Sequence, residues 1–334
     1  MSTSHVRIIG ARSADYLASD INRVATAKLD KIDLSSSKFA NGEIKISISD
    51  NIRGKDIYVI STGISNDWSI NDYLVELLQI LDACKRSEVN KITLIIPHFP
   101  YLRQDKRMCR EPISASLFCG ILEPYVNRVI TLDGHFAQFP GLFRRTYVVN
   151  CYCINLMCSY IEKQMDLDPD KYLLISPDTG GSKRIESYAN RLKMDYAVMT
   201  KKRDYTARNV VTNTTLHYEG DLTDKTAIFV DDMIDTGGTI ISAVNTLMSK
   251  GVKNAFLIAT HGLLSGPAIE RFKACDGIIK IFVTDSVPQE YNKQQLGDKL
   301  EVIPINKYLR DLIYVIESRG SVTEFLNRQT YEYF

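Results

Sequence analysis

The chain has 334 residues, 45% of them hydrophobic, which is enough for a well-filled core and, at this length, for two domains rather than one. Its 41 basic residues balance 40 acidic ones, so the net charge of +1 leaves no broad electrostatic footprint for nucleic acid or a membrane surface, and any phosphate binding must be local. No apolar run approaches the roughly 18 residues of a membrane span, the N-terminus lacks a signal-peptide pattern, and seven scattered cysteines form no disulfide framework; together these predict a reducing, cytoplasmic setting.

Along the chain, short β-branched runs alternate with longer helical patterns. The runs are "HVRIIG", "DIYVIST", "KITLIIP", "RVITLDGH", "YLLISPD", "DYAVMT", "TAIFVDD", "NAFLIATHG" and "IIKIFVTDS". Between them, "SINDYLVELLQILDACKRS" and "GTIISAVNTLMSKG" carry apolar residues at three- and four-residue spacing. This alternation predicts an α/β protein whose parallel sheets are covered by helices on both faces. Roughly ten strands are generous for one sheet, and the pattern pauses in "PGLFRRTYVVNCYCIN", so a boundary is expected near residue 152. The two units are then residues 1–152 and 153–315, with 316–334 returning to the first. Cys151, Cys153 and Cys158 have neither zinc-ribbon spacing nor a nearby histidine, and read as buried packing. The tail reads as a helix, a stop at Gly320 and a Ser-Val-Thr start to a second helix.

Residues 227–240, "AIFVDDMIDTGGTI", carry the chemistry. In an open α/β sheet, ligands gather outside the carboxyl ends of the strands. Asp231, Asp232 and Asp235 stand at such an end, and the turn Thr236, Gly237, Gly238, Thr239 lets backbone amides and a helix N-terminus approach a phosphate. The acids suit sugar hydroxyls or Mg²⁺. The combined ligand is a phosphorylated sugar. The bland alternative is an acidic strand end, a glycine turn and a solvated helix start. Neither a G-x-x-x-x-G-K-[ST] loop nor a G-x-G-x-x-G after a strand occurs, so ordinary P-loop and dinucleotide chemistry recede.

This stretch resembles the phosphoribosyl diphosphate (PRPP) motif of type I phosphoribosyltransferases and of ribose-phosphate pyrophosphokinases. The segments "KFANGE", "PYLRQDKR", "PISA", "TLDGHFAQ", "SPDTGGSKR", "KKR", "THGLLSGPA" and "VPQE" resemble the pyrophosphokinases in order, over residues 6 to 328. The resemblance implies two type I phosphoribosyltransferase-like domains, each a mainly parallel sheet flanked by helices. It also implies transfer of the β,γ-diphosphoryl group of ATP to the C1 hydroxyl of ribose 5-phosphate, giving PRPP and AMP. By resemblance, Phe39, Asn41 and Glu43 line an adenine pocket completed by a neighbouring subunit. Arg103, with Gln104, Asp105 and His135, contacts ATP, and His135 and Asp178 hold Mg²⁺, with Asp133 expected to orient the His135 ring. Asp231, Asp232, Asp235 and Thr236 to Thr239 hold ribose 5-phosphate. Lys201 and Arg203 are the catalytic cations, followed by a flap that excludes water. Arg53, Ser321 and Thr323 match a regulatory phosphate site, so inorganic phosphate is an expected activator. Self-association as a homohexamer or homodimer is also implied.

Gly134 stands where the family commonly has leucine, and Lys202 where it has glutamate. The loop through residues 107–110 is one residue short, while that through 142–150 is one long, with Val149 where an acid is common. Phosphate binding is therefore expected to be retained and ADP inhibition weakened. Two rivals remain at this stage: a catalytically weak PRPP synthetase-associated regulatory subunit, and a phosphoribosyltransferase that consumes PRPP.

Overall fold

A computed structural model describes residues 5–26, 29–65, 67–204 and 210–334, with the side chains of 201–204 and 210–214 outside the description. The first half runs β1 (Val6–Gly10), α1 (Asp15–Val24), β2 (Asp30–Ile32), β3 (Leu34–Lys38), β4 (Ile44–Ile48), β5 (Asp56–Ile60), α2 (Ile70–Arg86), β6 (Lys91–Ile95), α3 (Ser114–Leu122), β7 (Arg128–Leu132) and β8 (Tyr147–Cys151). The second runs α4 (Ile154–Gln164), β9 (Tyr172–Ser176), α5 (Ser182–Leu192), β10 (Tyr196–Asp204), β11 (Val210–His217), β12 (Thr226–Ile234), α6 (Gly238–Met248), β13 (Asn254–Gly262), α7 (Ala268–Lys273), β14 (Ile278–Thr284), α8 (Glu290–Leu296) and β15 (Leu300–Ile303). The tail adds α9 (Asn306–Glu317) and α10 (Val322–Leu326).

A parallel six-stranded sheet has the order β2-β1-β5-β6-β7-β8, and a seven-stranded sheet the order β11-β10-β9-β12-β13-β14-β15. In the second sheet only β10 and β11 pair antiparallel. The mainly parallel, helix-flanked architecture is the one expected. Every residue of β5 is buried, as a strand covered on both faces requires. The short strands β2, β8, β11 and β15 escaped the sequence reading. All but β11 have at most five residues, and all lie at sheet edges, where half-exposure breaks the apolar run. The apparent pause near residues 140–155 thus contains an edge strand.

Strands β3 and β4 form a separate hairpin. It leans on α2 through a Lys38–Asp72 ion pair of 2.8 Å and a Gln79 hydrogen bond to the Ile44 carbonyl. Ser69 and Asp72 close a capping box at the start of that helix.

The return expected of residues 316–334 is divided between the halves. Glu317 accepts from Tyr58 in β5 at 2.6 Å. Residues 329–334 instead lie on α4 and α5: Arg191 donates to the Gln329 carbonyl, the Tyr331 amide to Ser159, and Lys163 to the Phe334 carbonyl. Tyr308, Phe325 and Tyr331 pack together there, and one apolar core takes residues from both sheets. The tail stitches the halves together.

Candidate active site

The two sheets aim the carboxyl ends of their strands at a shared cleft. A cavity of about 270 Å³ lies there, lined by His98, Arg103, Gln104 and His135 from the first half and by Asp235 and His261 from the second. Arg103 reaches across to Asp235 in an ion pair of 2.5 Å. His135 also crosses, its Nδ1 2.7 Å from Asp232 Oδ2. Residues 97 and 132 positions apart in sequence therefore meet at one site.

Strand β12 does not stop at its first acid. It runs through Asp231 and Asp232 to Ile234, so both acids are strand residues, Asp231 partly buried and Asp232 buried. Asp232 is 4% exposed. Arg184, on the first turn of α5, answers the pair at 3.3 Å from Asp231 and 3.6 Å from Asp232. Burial and the adjacent Asp232 charge push Asp231 well above the carboxylate range. Burial works against the Asp232 charge as well, but the His135 hydrogen bond and the Arg184 guanidinium hold that carboxyl far below its usual value. The Asp232 hydrogen bond in turn raises His135 against the effect of burial. The two neighbours are thus split into a proton holder and a fixed charge.

Asp133, expected to orient His135, faces the other way. Its Oδ2 accepts from the Cys153 amide at 3.1 Å and from the Thr260 hydroxyl. Asp232 orients the ring instead. Asp133 also has a left-handed backbone, φ 38°, at the turn that delivers His135. The next residue, Gly134, donates its amide to Asn150 Oδ1 at 2.9 Å. A Cβ at that position would lie 3.4 Å from both Asn150 and Phe139, within ordinary contact distance, so the structure gives no steric reason for glycine there.

The phosphate-cup reading of residues 236–239 meets suitable geometry. Gly237 has φ 73°, and a Cβ on it would stand 2.7 Å from the Phe272 ring. The turn leads directly into the 11-residue helix α6, whose cap position carries no side-chain acceptor. Its first amides are consequently available to an anion. Arg271 pins the turn from behind through the Thr236 carbonyl at 2.8 Å.

Other assigned residues lie elsewhere or are engaged. Gln104 lines the cavity but takes a hydrogen bond from Ser114, while Asp105 is half-buried beside it. Asp178 accepts from the Gly180 amide at 2.9 Å and acts electrostatically on Asp231. Phe39, Asn41 and Glu43 form the tip of the β3–β4 hairpin, where Phe39 is 53% exposed and Asn41 accepts from the Glu43 amide. They are not part of the cavity lining. Lys201 and Arg203 have backbone positions in β10, opposite Thr214 and Val211, while their side chains and residues 205–209 of the expected flap lie outside the described residues. Arg53 pairs with Glu88, and Ser321 caps α10 through the Glu324 amide. No hydrogen bond or ion pair joins Arg53 to Ser321 or Thr323 among the described residues.

Sequence reasoning missed Arg184, although "SPDTGGSKR" contains it: an arginine one helical turn beyond a strand-end acid. His98 and His261 were also unassigned. Their rings meet edge to face at 5.1 Å, and burial, with His261 beside it, pushes His98 down to about 3. His261 bonds Ser286 and the Leu132 carbonyl, so it ties β13 to the His135 turn.

These features define a two-part α/β protein of phosphoribosyltransferase type, in which Arg103 and His135 of the first half meet the acids of β12 and its following turn in the second. Residues 6–125 match the family described as the N-terminal domain of ribose phosphate pyrophosphokinase, and residues 211–327 the phosphoribosyl synthetase-associated domain. Ribose-phosphate pyrophosphokinase 2 of Schizosaccharomyces pombe is 36% identical over 325 residues, covering 97% of this chain and 98% of the relative. Ribose-phosphate pyrophosphokinase 4 of Saccharomyces cerevisiae is 35% identical over 91% of this chain and 90% of its own. The crystal structure of phosphoribosylpyrophosphate synthetase from Mycobacterium smegmatis superposes with a TM-score of 0.83 at 32% identity, covering 95% of this chain and 100% of that one. The chain belongs to the ribose-phosphate pyrophosphokinase family, as its motifs led one to expect, and is an ATP-dependent diphosphotransferase.

Proposed function

We propose that the cleft binds ATP along its first-half wall and ribose 5-phosphate in the 236–239 cup, and transfers the β,γ-diphosphoryl group to the sugar C1 hydroxyl. The observation that carries this reading is the convergence of Arg103 and His135 on Asp235 and Asp232. A guanidinium and an imidazole from one half thereby face the sugar-phosphate apparatus of the other. Arg103 suits bidentate phosphate contact. The cup amides hold the 5-phosphate, and Asp231, Asp232 and Asp235 offer acceptors to the ribose hydroxyls. Lys201 and Arg203 supply positive charge to the transferred group, and the β10–β11 segment excludes water.

The donor set fits Mg²⁺. Asp178 and the charged Asp232 flank Asp231, and Arg184 faces the Asp231–Asp232 pair. Mg²⁺ keeps several waters and takes substrate phosphate oxygens, so it needs few protein ligands. His135 and Asp178 would hold it; when bound, the ion neutralises charge on the ATP phosphates. Asp232 keeps the His135 ring in place throughout.

Residues 1–152 and 153–315 are assigned as the two units, with the tail bound to both. Self-association is supported by Leu117 and Ile121, exposed on α3, and by Tyr147, 61% exposed on edge strand β8. Phe39 on its hairpin is then free to complete an adenine pocket across a subunit contact. All seven cysteines are free, six of them buried, and no described helix is long and apolar enough to cross a membrane. The cysteines favour a reducing cytoplasmic setting. Phosphate activation through Arg53, Ser321 and Thr323 is retained in this reading, while ADP inhibition is weakened. ATP labelled in its β-phosphate tests the transfer: the label must leave with the sugar, and label remaining on the nucleotide product refutes it.

A further inference from the structure

Outside the cleft, metal-ligating groups converge at one further place among the described residues. His5 precedes β1, Asp56 opens β5 and Glu317 ends α9; one ligand atom from each lies within 4.8 Å of the other two. His5 Nε2 is 3.2 Å from Glu317 Oε2 and 3.6 Å from Asp56 Oδ2. Ligands of a tetrahedral ion at about 2.0–2.1 Å stand about 3.3 Å apart, so these two edges are already those of a metal polyhedron.

The carboxylates are also held from behind. Asn90 Nδ2 donates to the second oxygen of Asp56 at 2.5 Å, and Tyr58 donates to the second oxygen of Glu317 at 2.6 Å. Each acid therefore turns its remaining oxygen toward the imidazole, the arrangement by which outer hydrogen bonds orient metal ligands. Both acid side chains are largely buried, at 11% and 14% exposure, whereas His5 is 49% exposed and leaves an open side for water. Arg128, the other cation near Tyr58, pairs with neither carboxylate among the described residues.

We propose that His5, Asp56 and Glu317 form a second cation site, for a borderline divalent ion of the zinc class. An imidazole with two carboxylates suits such an ion, which takes nitrogen ligands more readily than Mg²⁺ does. The bound ion would staple the starts of β1 and β5 to the end of α9, fastening the tail to the first sheet. The inference is independent of the reaction assigned to the cleft.

Calorimetric titration of the full chain with Zn²⁺ tests it, because the cleft can also take zinc and only a difference between proteins is diagnostic. His5→Ala and Glu317→Gln should each bind one equivalent fewer than the unaltered chain, and should lose the zinc-induced rise in Tm that this equivalent confers. Co²⁺ in place of Zn²⁺ should give visible absorption that His5→Ala diminishes. Near-ultraviolet circular dichroism without metal checks that both variants remain folded. If either folded variant keeps the full stoichiometry, or His5→Ala leaves the Co²⁺ spectrum unchanged, the cluster is an ordinary histidine–carboxylate ion pair and the proposal is overturned.

Discussion

Replacing Arg184 with methionine removes the one guanidinium that, among the described residues, faces both neighbouring acids of β12. Its Nη1 lies 3.6 Å from Asp232, and at an effective dielectric of about 20 that attraction is about 5 kcal/mol before the cost of burying the two charges. Breaking a buried pair by deleting one partner typically costs about 3–5 kcal/mol. Because His135 still answers Asp232, the lower end, about 3 kcal/mol, is expected for Arg184→Met at neutral pH in magnesium-free buffer.

The cost should depend on pH. Asp231 has a raised folded-state pKa, so the stability of its protonated form is present at low pH and lost as pH rises through that value. Asp232 has a depressed one, so its contribution is present above the unfolded value and lost as pH falls through the folded one. Without Arg184, Asp232 depends on His135 for its counter-charge among the described residues, and that charge is lost as pH rises and the imidazolium deprotonates. Urea unfolding of both proteins at pH 5 and pH 8 should therefore show a larger loss at pH 8. An equal loss at the two pH values, or one below about 1 kcal/mol at pH 8, would refute the charge division drawn here.

Gly237→Ala forces a side chain into a left-handed backbone and against the Phe272 ring; a loss of at least about 1–2 kcal/mol is expected, with a raised KM for ribose 5-phosphate and a smaller change for ATP. Tyr331→Ala empties a site 4% exposed between Tyr308 and Phe325, and thermal unfolding should reveal a loss of about 3–5 kcal/mol if the tail stitches the halves. Lys201→Ala should lower kcat on the order of 10²- to 10³-fold, measured as PRPP formed, with binding of ATP by calorimetry little changed. An ADP titration at saturating ribose 5-phosphate should show weak inhibition, and strong non-competitive inhibition would contradict the regulatory reading.

The parallel α/β architecture was legible because buried parallel strands are written as continuous apolar runs, as in β5, β6 and β13. Edge strands such as β2 and β15, at three and four residues, carry too little of that signal. The acids of β12 announced themselves by interrupting such a run, yet the strand's continuation to Ile234 did not, since acids are depleted in strands and two in a row read as its end. Partnership across the cleft was not legible. Asp133 is two residues from His135 and was the natural candidate to orient it, but the left-handed turn sends its carboxylate to Cys153 and Thr260. Val149 is buried in β8, a position whose burial an apolar side chain suits. The loop before β8 is held by Glu123, which accepts the amides of Arg144, Arg145 and Thr146.

The most direct test of the central claim is to incubate the purified chain with Mg²⁺, ATP and ribose 5-phosphate, with and without inorganic phosphate, and resolve the products. The account predicts AMP and PRPP in equal amounts, dependent on the sugar and abolished to near background by Lys201→Ala. ADP in place of AMP would mean that a single phosphoryl group moves, and no product under either condition, with Lys201→Ala indistinguishable from the unaltered chain, would contradict the account and favour a regulatory subunit built on the same fold.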